Sequence, residues 1–164
     1  MSAKLEHAVL SLLEENARIE LDQIATMLDE DKEIIIQIVD ELEKKGVIVK
    51  YGTLINWQKA STKKVAALID VKVTPQRGHG FDAIAKRIYL FPEVRSVYLM
   101  SGSYDLSVAL EVDSMEAVGK FVTEKLAPID SVVSTMTHFV MKKYKEDGVI
   151  LDEPEKDERL VITP

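Results

Sequence analysis

Apolar residues at three- and four-residue spacing open the chain. Leu5, Ala8, Val9, Leu12 and Leu13 form one stripe and predict a first helix; Leu21, Ile24, Ala25 and Leu28 form a second. An acidic turn follows, Asp29-Glu30-Asp31, in which Asp31 suits the N-cap of a third helix. Ile34 or Ile35, Ile38, Val39 and Leu42 carry the buried face of that helix, and Gly46 supplies the positive φ that ends it. The period then shortens. Val47, Val49, Tyr51 and Ile55, bounded by Gly52 and Asn56, predict a strand within residues 47–57. Three short helices and a strand in this order have the form of a winged helix-turn-helix head, residues 1–57. Tyr51, Leu54 and Trp57 are apolar for a connecting segment; they either cover the head's core or seal a contact with another chain.

Residues 58–64 are hydrophilic and read as a linker. Beyond them the pattern changes to a second domain, residues 65–145. Residues 65–73 are rich in β-branched side chains and end at Thr74-Pro75, a strand. Gly78 and Gly80 mark a loop. Phe81, Ile84, Ala85, Ile88 and Phe91 lie on one helical face that Pro92 terminates. Residues 94–100 and 106–112 predict two strands joined by a tight turn. Met115, Val118, Val122 and Leu126 mark another helix ending near Pro128, and residues 132–144 a last strand. The order βαββαβ predicts an antiparallel sheet with both helices on one face, so the fold class is α+β with a ferredoxin-like second domain. Residues 146–164 form an acidic tail, in which Leu160-Val161-Ile162 is apolar enough to dock as a short edge strand.

Charge and composition narrow the chemistry. With 21 Lys+Arg against 28 Asp+Glu in 164 residues, the formal charge is −7, so any contact with a polyanion must come from a local patch. The absence of cysteine excludes disulfides, thiolate metal sites and a cysteine nucleophile. No apolar run approaches the ~18 residues needed to span a bilayer, which predicts a cytoplasmic protein with no membrane partner. His7, His79 and His138 lie in three different elements without metal-ligand spacing, so neither a metal nor a cofactor is expected, and His138 suits a subunit contact. No nucleophile motif, phosphate loop or zinc-protease motif is present, which argues against an enzyme.

Five short segments resemble one family. Glu15-Asn16-Ala17-Arg18 and Leu42-Glu43-Lys44-Lys45-Gly46-Val47-Ile48 resemble the head of the Lrp/AsnC transcription regulators. Pro92-Glu93-Val94, Gly102-Ser103-Tyr104-Asp105-Leu106 and Ser134-Thr135-Met136-Thr137 resemble that family's ligand-sensing domain. The resemblance spans residues 4–144. It implies a head that binds double-stranded DNA, a sensor for an amino acid or similar small molecule, and homodimers that close into octameric rings.

Two sets of residues carry the expected sites. In the sensor, Gly102 lets backbone approach a ligand, Tyr104 offers a rigid wall, and Asp105 can accept from an ammonium group. Ser101, Ser103 and the turn N–H groups can hold a carboxylate, Met100 can face the ligand's side chain, and Thr135 and Thr137 share one strand face that can complete the pocket. The residues alone equally allow an ordinary turn whose aspartate bonds its own backbone, with threonines chosen for strand propensity. In the head, Lys32, Glu33, Ile34 and Gln37 stand where the third helix would meet bases, and Lys44, Lys45 and Lys50 where phosphate would be gripped. Here the sequence departs from the family, whose third helix starts with Ser or Thr and carries arginines. Residues 1–62 hold seven positive and twelve negative side chains, a charge of −5. Such a head displaces few counterions, and the same residues also read as a solvated helix face. Two function classes follow: a DNA-binding regulator, or an oligomeric small-molecule-binding module with weak DNA affinity that acts through a protein partner.

Overall fold

Three helices build the first of two separately packed units, residues 1–55 and 56–164. The computed structural model describes residues 3–60, 64–74 and 80–152. Helix α1 spans Ala3–Glu15, α2 Leu21–Leu28 and α3 Lys32–Lys44. The predicted stripes meet in one core: Val9, Leu13, Ile24, Ala25, Ile35, Ile38, Val39 and Leu42 are buried. Ile35, not Ile34, is the fully buried member of its pair. Helix α2 ends at Asp29, which takes the left-handed conformation (φ +53°), with the Glu30 N–H bonded back to the Ala25 carbonyl at 3.0 Å. Asp31 does occupy the N-cap position of α3, but through its backbone: its carbonyl accepts from Ile34 and Ile35, while its carboxylate makes no capping bond. Its charge still lies favourably at the helix N-terminus. Gly46 closes α3 as expected, at φ +69°, and the Val47 N–H reaches the Leu42 carbonyl at 2.9 Å.

The strand expected within residues 47–57 does not form. The backbone there carries no ladder, and Val47, Val49, Tyr51 and Ile55 are exposed. A strand exists through its hydrogen-bonded neighbour, and the described residues of the head supply no second extended segment. Strand propensity alone could not provide a partner.

In the second unit β1 (Val65–Val73), α4 (Asp82–Tyr89), β2 (Val94–Leu99), β3 (Leu106–Val112), α5 (Met115–Lys120) and β4 (Val132–Phe139) follow in the βαββαβ order. The four strands pair antiparallel in the order β2-β3-β1-β4, the α+β architecture the alternation of elements predicts. Ala67, Ile69, Val71 and Val73 of β1 and Leu106, Val108, Leu110 and Val112 of β3 turn one face into a core with Ile84, Ile88, Val118, Phe121 and Leu126. Register aligns Val71 with Leu106 on one side and with Thr135 on the other, and Asp70 with Ser107 and Met136.

Two elements depart from the expected pattern. The helix predicted through Leu126 is α-helical only to Lys120; residues Phe121–Leu126 widen into a π-turn, and Met115 is exposed rather than inward. Residues five apart diverge by about 140° around an α-helix, yet Phe121 and Leu126 are both buried; the wider i→i+5 turn brings them towards one face. The last strand stops at Phe139 instead of continuing to residue 144. A small hairpin of β5 (Lys145–Glu146) and β6 (Val149–Ile150) then turns at Asp147 (φ +45°) and Gly148 (φ +79°). The boundary between domain and acidic tail expected at residue 145 therefore falls inside a hairpin. Of the proposed linker, residues 61–63 lie outside the described residues, as do the Gly78-His79 loop and the tail from residue 153, including the edge strand expected at Leu160-Val161-Ile162. Asn56 and Gln58 bond to the carbonyls of Leu151 and Lys143, which ties residues 56–58 to the sheet unit.

Candidate functional site

The β2–β3 turn is fastened to the sheet at Asp105. Its carbonyl accepts from the Met100 N–H at 2.8 Å, and its own N–H donates to Val71 at 3.1 Å. Its carboxylate continues the ladder: Oδ2 accepts from the Val73 N–H at 2.9 Å, and Oδ1 from Lys72 Nζ at 3.2 Å. The Val73 N–H foremost, and then Lys72, hold the Asp105 carboxyl below the usual aspartate range. Asp105 is thus a fixed anion whose orientation is set by main chain. Ser101, Gly102, Ser103 and Met100 are exposed around it, and Tyr104 is half-buried.

The sheet divides the other expected sensor residues. Thr135 and Thr137 do share one face, opposite Val71 and Ile69, on the side that packs against the helices. Lys72 pairs with Ser134 in the same register, so Asp105, through its bond to Lys72, belongs with the opposite, open face. Sequence period placed the two threonines together and could not show that Asp105 looks the other way. Lys72 was missed altogether. The available signal was alternation: Leu68, Asp70 and Lys72 repeat at period two along β1, which puts a cation on the face away from the core.

On the head, Lys32, Glu33 and Gln37 are exposed along α3, and Ile34 is half-buried against the core. Two of the expected phosphate- or base-contacting lysines already hold acidic partners: Lys32 Nζ lies 2.9 Å from Asp22 and Lys45 Nζ 3.0 Å from Glu41. These carboxylates raise both lysines above the ordinary range. Lys44 and Lys50 are exposed. Tyr51 donates to Glu43 at 2.8 Å, which settles its hydroxyl on α3.

Of the histidines, His138 points from β4 to the open face and lies 3.2 Å from Asp70. Among the described residues, no cluster of His, Asp and Glu could hold a metal ion. None of the described helices is long and apolar enough to cross a membrane.

A family model for the Lrp/AsnC ligand binding domain matches residues 66–150. The chain is 50% identical over 160 residues to an uncharacterized HTH-type transcriptional regulator, YugG, of Bacillus subtilis strain 168, covering 97% of this chain and 96% of that one. Among solved structures it is similar to Escherichia coli AsnC, with a TM-score of 0.70 and 19% identity over 89% of this chain and 96% of that one. It is also similar to the transcriptional regulator NMB0573 from Neisseria meningitidis in its L-Met complex, with a TM-score of 0.71 and 22% identity over 89% and 94%.

Proposed function

The chain belongs to the Lrp/AsnC family of transcriptional regulators, and from that premise we propose that its head binds double-stranded DNA under control of an amino acid or related metabolite. The observation that carries this reading is the pairing, in one chain, of a helix-turn-helix with a sheet domain that presents a fixed carboxylate. Helices α2 and α3 are joined by only three residues, and α3 leaves Lys32, Glu33 and Gln37 outward. Lys44 and Lys50 supply phosphate contacts beside it.

The effector site is the turn from Met100 to Asp105. Asp105 accepts from the ligand's ammonium, and Ser101, Gly102, Ser103 and Tyr104 surround it. A neighbour in fold was solved with L-Met, which supports an α-amino acid as the ligand class. Thr135 and Thr137, on the other face of β4, reach such a ligand only from a neighbouring copy. That fits a homo-oligomer, as does the open sheet face, where Leu68, Tyr98 and Met136 are exposed at 44%, 58% and 47%. We assign a dimer that extends to an octamer, working in the cytoplasm where its DNA is.

The test is fluorescence anisotropy of the full chain on the DNA upstream of its own gene, at low salt, with and without each of the twenty amino acids. Saturable binding that one amino acid shifts is the expected result. One observation favours the second reading, a sensor acting through a protein partner: Lys32 and Lys45 are already neutralised by Asp22 and Glu41. No binding at low salt with every amino acid would favour that reading instead.

A further inference from the structure

We propose that Lys72 binds the carboxylate of the effector, and that the Lys72–Asp105 ion pair is the element that selects an α-amino acid over its amine. This rests on the effector reading above and adds a residue to it. Lys72 lies on β1, one position beyond the Val71↔Leu106 pair, and Asp105 is the turn residue just before β3, its N–H bonded to the Val71 carbonyl. Its ammonium is 3.2 Å from Asp105 Oδ1. The two therefore present a cation and an anion side by side on the sheet's open face.

An α-amino acid is the complementary object. Its ammonium and carboxylate are held a similar distance apart, and two such dipoles attract when laid antiparallel: ammonium on carboxylate, carboxylate on ammonium. Neither protein group needs to let go of the other. A carboxylate has about four acceptor sites, and Asp105 uses two, for Val73 and Lys72. An ammonium has three donors, and among the described residues Lys72 gives one, to Asp105. The Lys72 side chain is 41% exposed, against 18% for Asp105, so the unused donors are the more accessible half of the site.

The flanks fit the same ligand. Met100, whose N–H bonds the Asp105 carbonyl, is half-exposed beside the anion and offers an apolar wall. Ser134, opposite Lys72 in the β1–β4 register, brings a hydroxyl to the cation's other side. Met100 and Asp105 in the turn, Lys72 on β1 and Ser134 on β4 thus follow one another at the end of the sheet that carries the turn. The threonines cannot play Lys72's part within one chain, since they occupy the other face.

The experiment is calorimetric titration of the full chain with the twenty amino acids, followed by the amine that lacks only the carboxylate of the best binder. Each is repeated on Lys72→Met and Lys72→Arg, with circular dichroism confirming that both variants are folded. The unmodified chain should bind the amino acid at least tenfold more tightly than the amine. Lys72→Met should lose at least tenfold for the amino acid and bind both ligands alike, while Lys72→Arg keeps the preference. Equal amino-acid binding by Lys72→Met and the unmodified chain would overturn the assignment of Lys72 and leave the effector reading standing. An unmodified chain that binds none of the twenty would overturn the effector reading itself, and this inference with it.

Discussion

At the scale of single residues, Glu93 and Lys125 form a half-buried ion pair of the sheet unit. Lys125 donates to Glu93 Oε1, and its ammonium lies 5.2 Å and 6.0 Å from the ring centroids of Phe91 and Phe121. The bond from Lys125 holds the Glu93 carboxyl below the usual glutamate range. A carboxyl depressed on folding stabilises the native state above its unfolded pKa, about 4.3, and loses that contribution as pH falls through the folded value. Thermal unfolding of Glu93→Gln should therefore show a deficit against the unmodified chain at pH 7 that closes below pH ~4. Lys125→Met should be more harmful than Glu93→Gln at neutral pH, by about 1–3 kcal/mol, because it strands a carboxylate whose Oε2 is already buried without a partner. The sequence showed Pro92-Glu93-Val94 only as a helix exit, since the cation that meets Glu93 comes from 32 residues further on. Asp105 was legible by its chemistry, and Lys72 was not, for the same reason: the pairing of β1 with β3 joins them.

At the scale of elements, helix ends and core faces follow local rules. Gly46→Ala meets no atom within 4 Å, so its cost is the left-handed backbone alone. Urea unfolding of that variant, followed by the helical signal, should show about 1–2 kcal/mol of lost stability. Ile38→Ala, at 1% exposure in the same helix, should cost about 2–5 kcal/mol in the same measurement. The Asp147-Gly148 hairpin carried a readable signal, an Asp-Gly pair between residues able to form strands, and its positive φ angles are those such a turn requires. The π-turn carried none, because it arises from the need to bury Phe121 and Leu126 together. On α3 and its exit, Lys44→Glu with Lys45→Glu should abolish DNA binding in the anisotropy assay while leaving the oligomeric state unchanged in light scattering.

At the scale of the whole molecule, charge and the open sheet face set what the protein can do. Residues 1–62, at −5, neutralise few phosphates, so the slope of log affinity against log salt should be shallow; a steep slope would contradict phosphate contacts limited to Lys44 and Lys50. The open face predicts self-association. Met136→Glu, which puts a second carboxylate opposite Asp70 on that face, should shift the full chain towards monomer at micromolar concentration in light scattering. Periodicity within about a dozen residues is enough for the three helices of the head and for the βαββαβ order of the sheet unit. Tertiary structure decided what those segments pair with. Residues 47–57 stayed unpaired because a ladder needs a second strand, the helix after Ser114 leaves α form at Phe121 because the core draws Phe121 and Leu126 inward together, and Asp105 acquired its cation because Lys72, 33 residues away, lies on the neighbouring strand. Hydrogen bonds between strands and contacts through a core join residues distant in sequence, and a one-dimensional pattern carries no term for them.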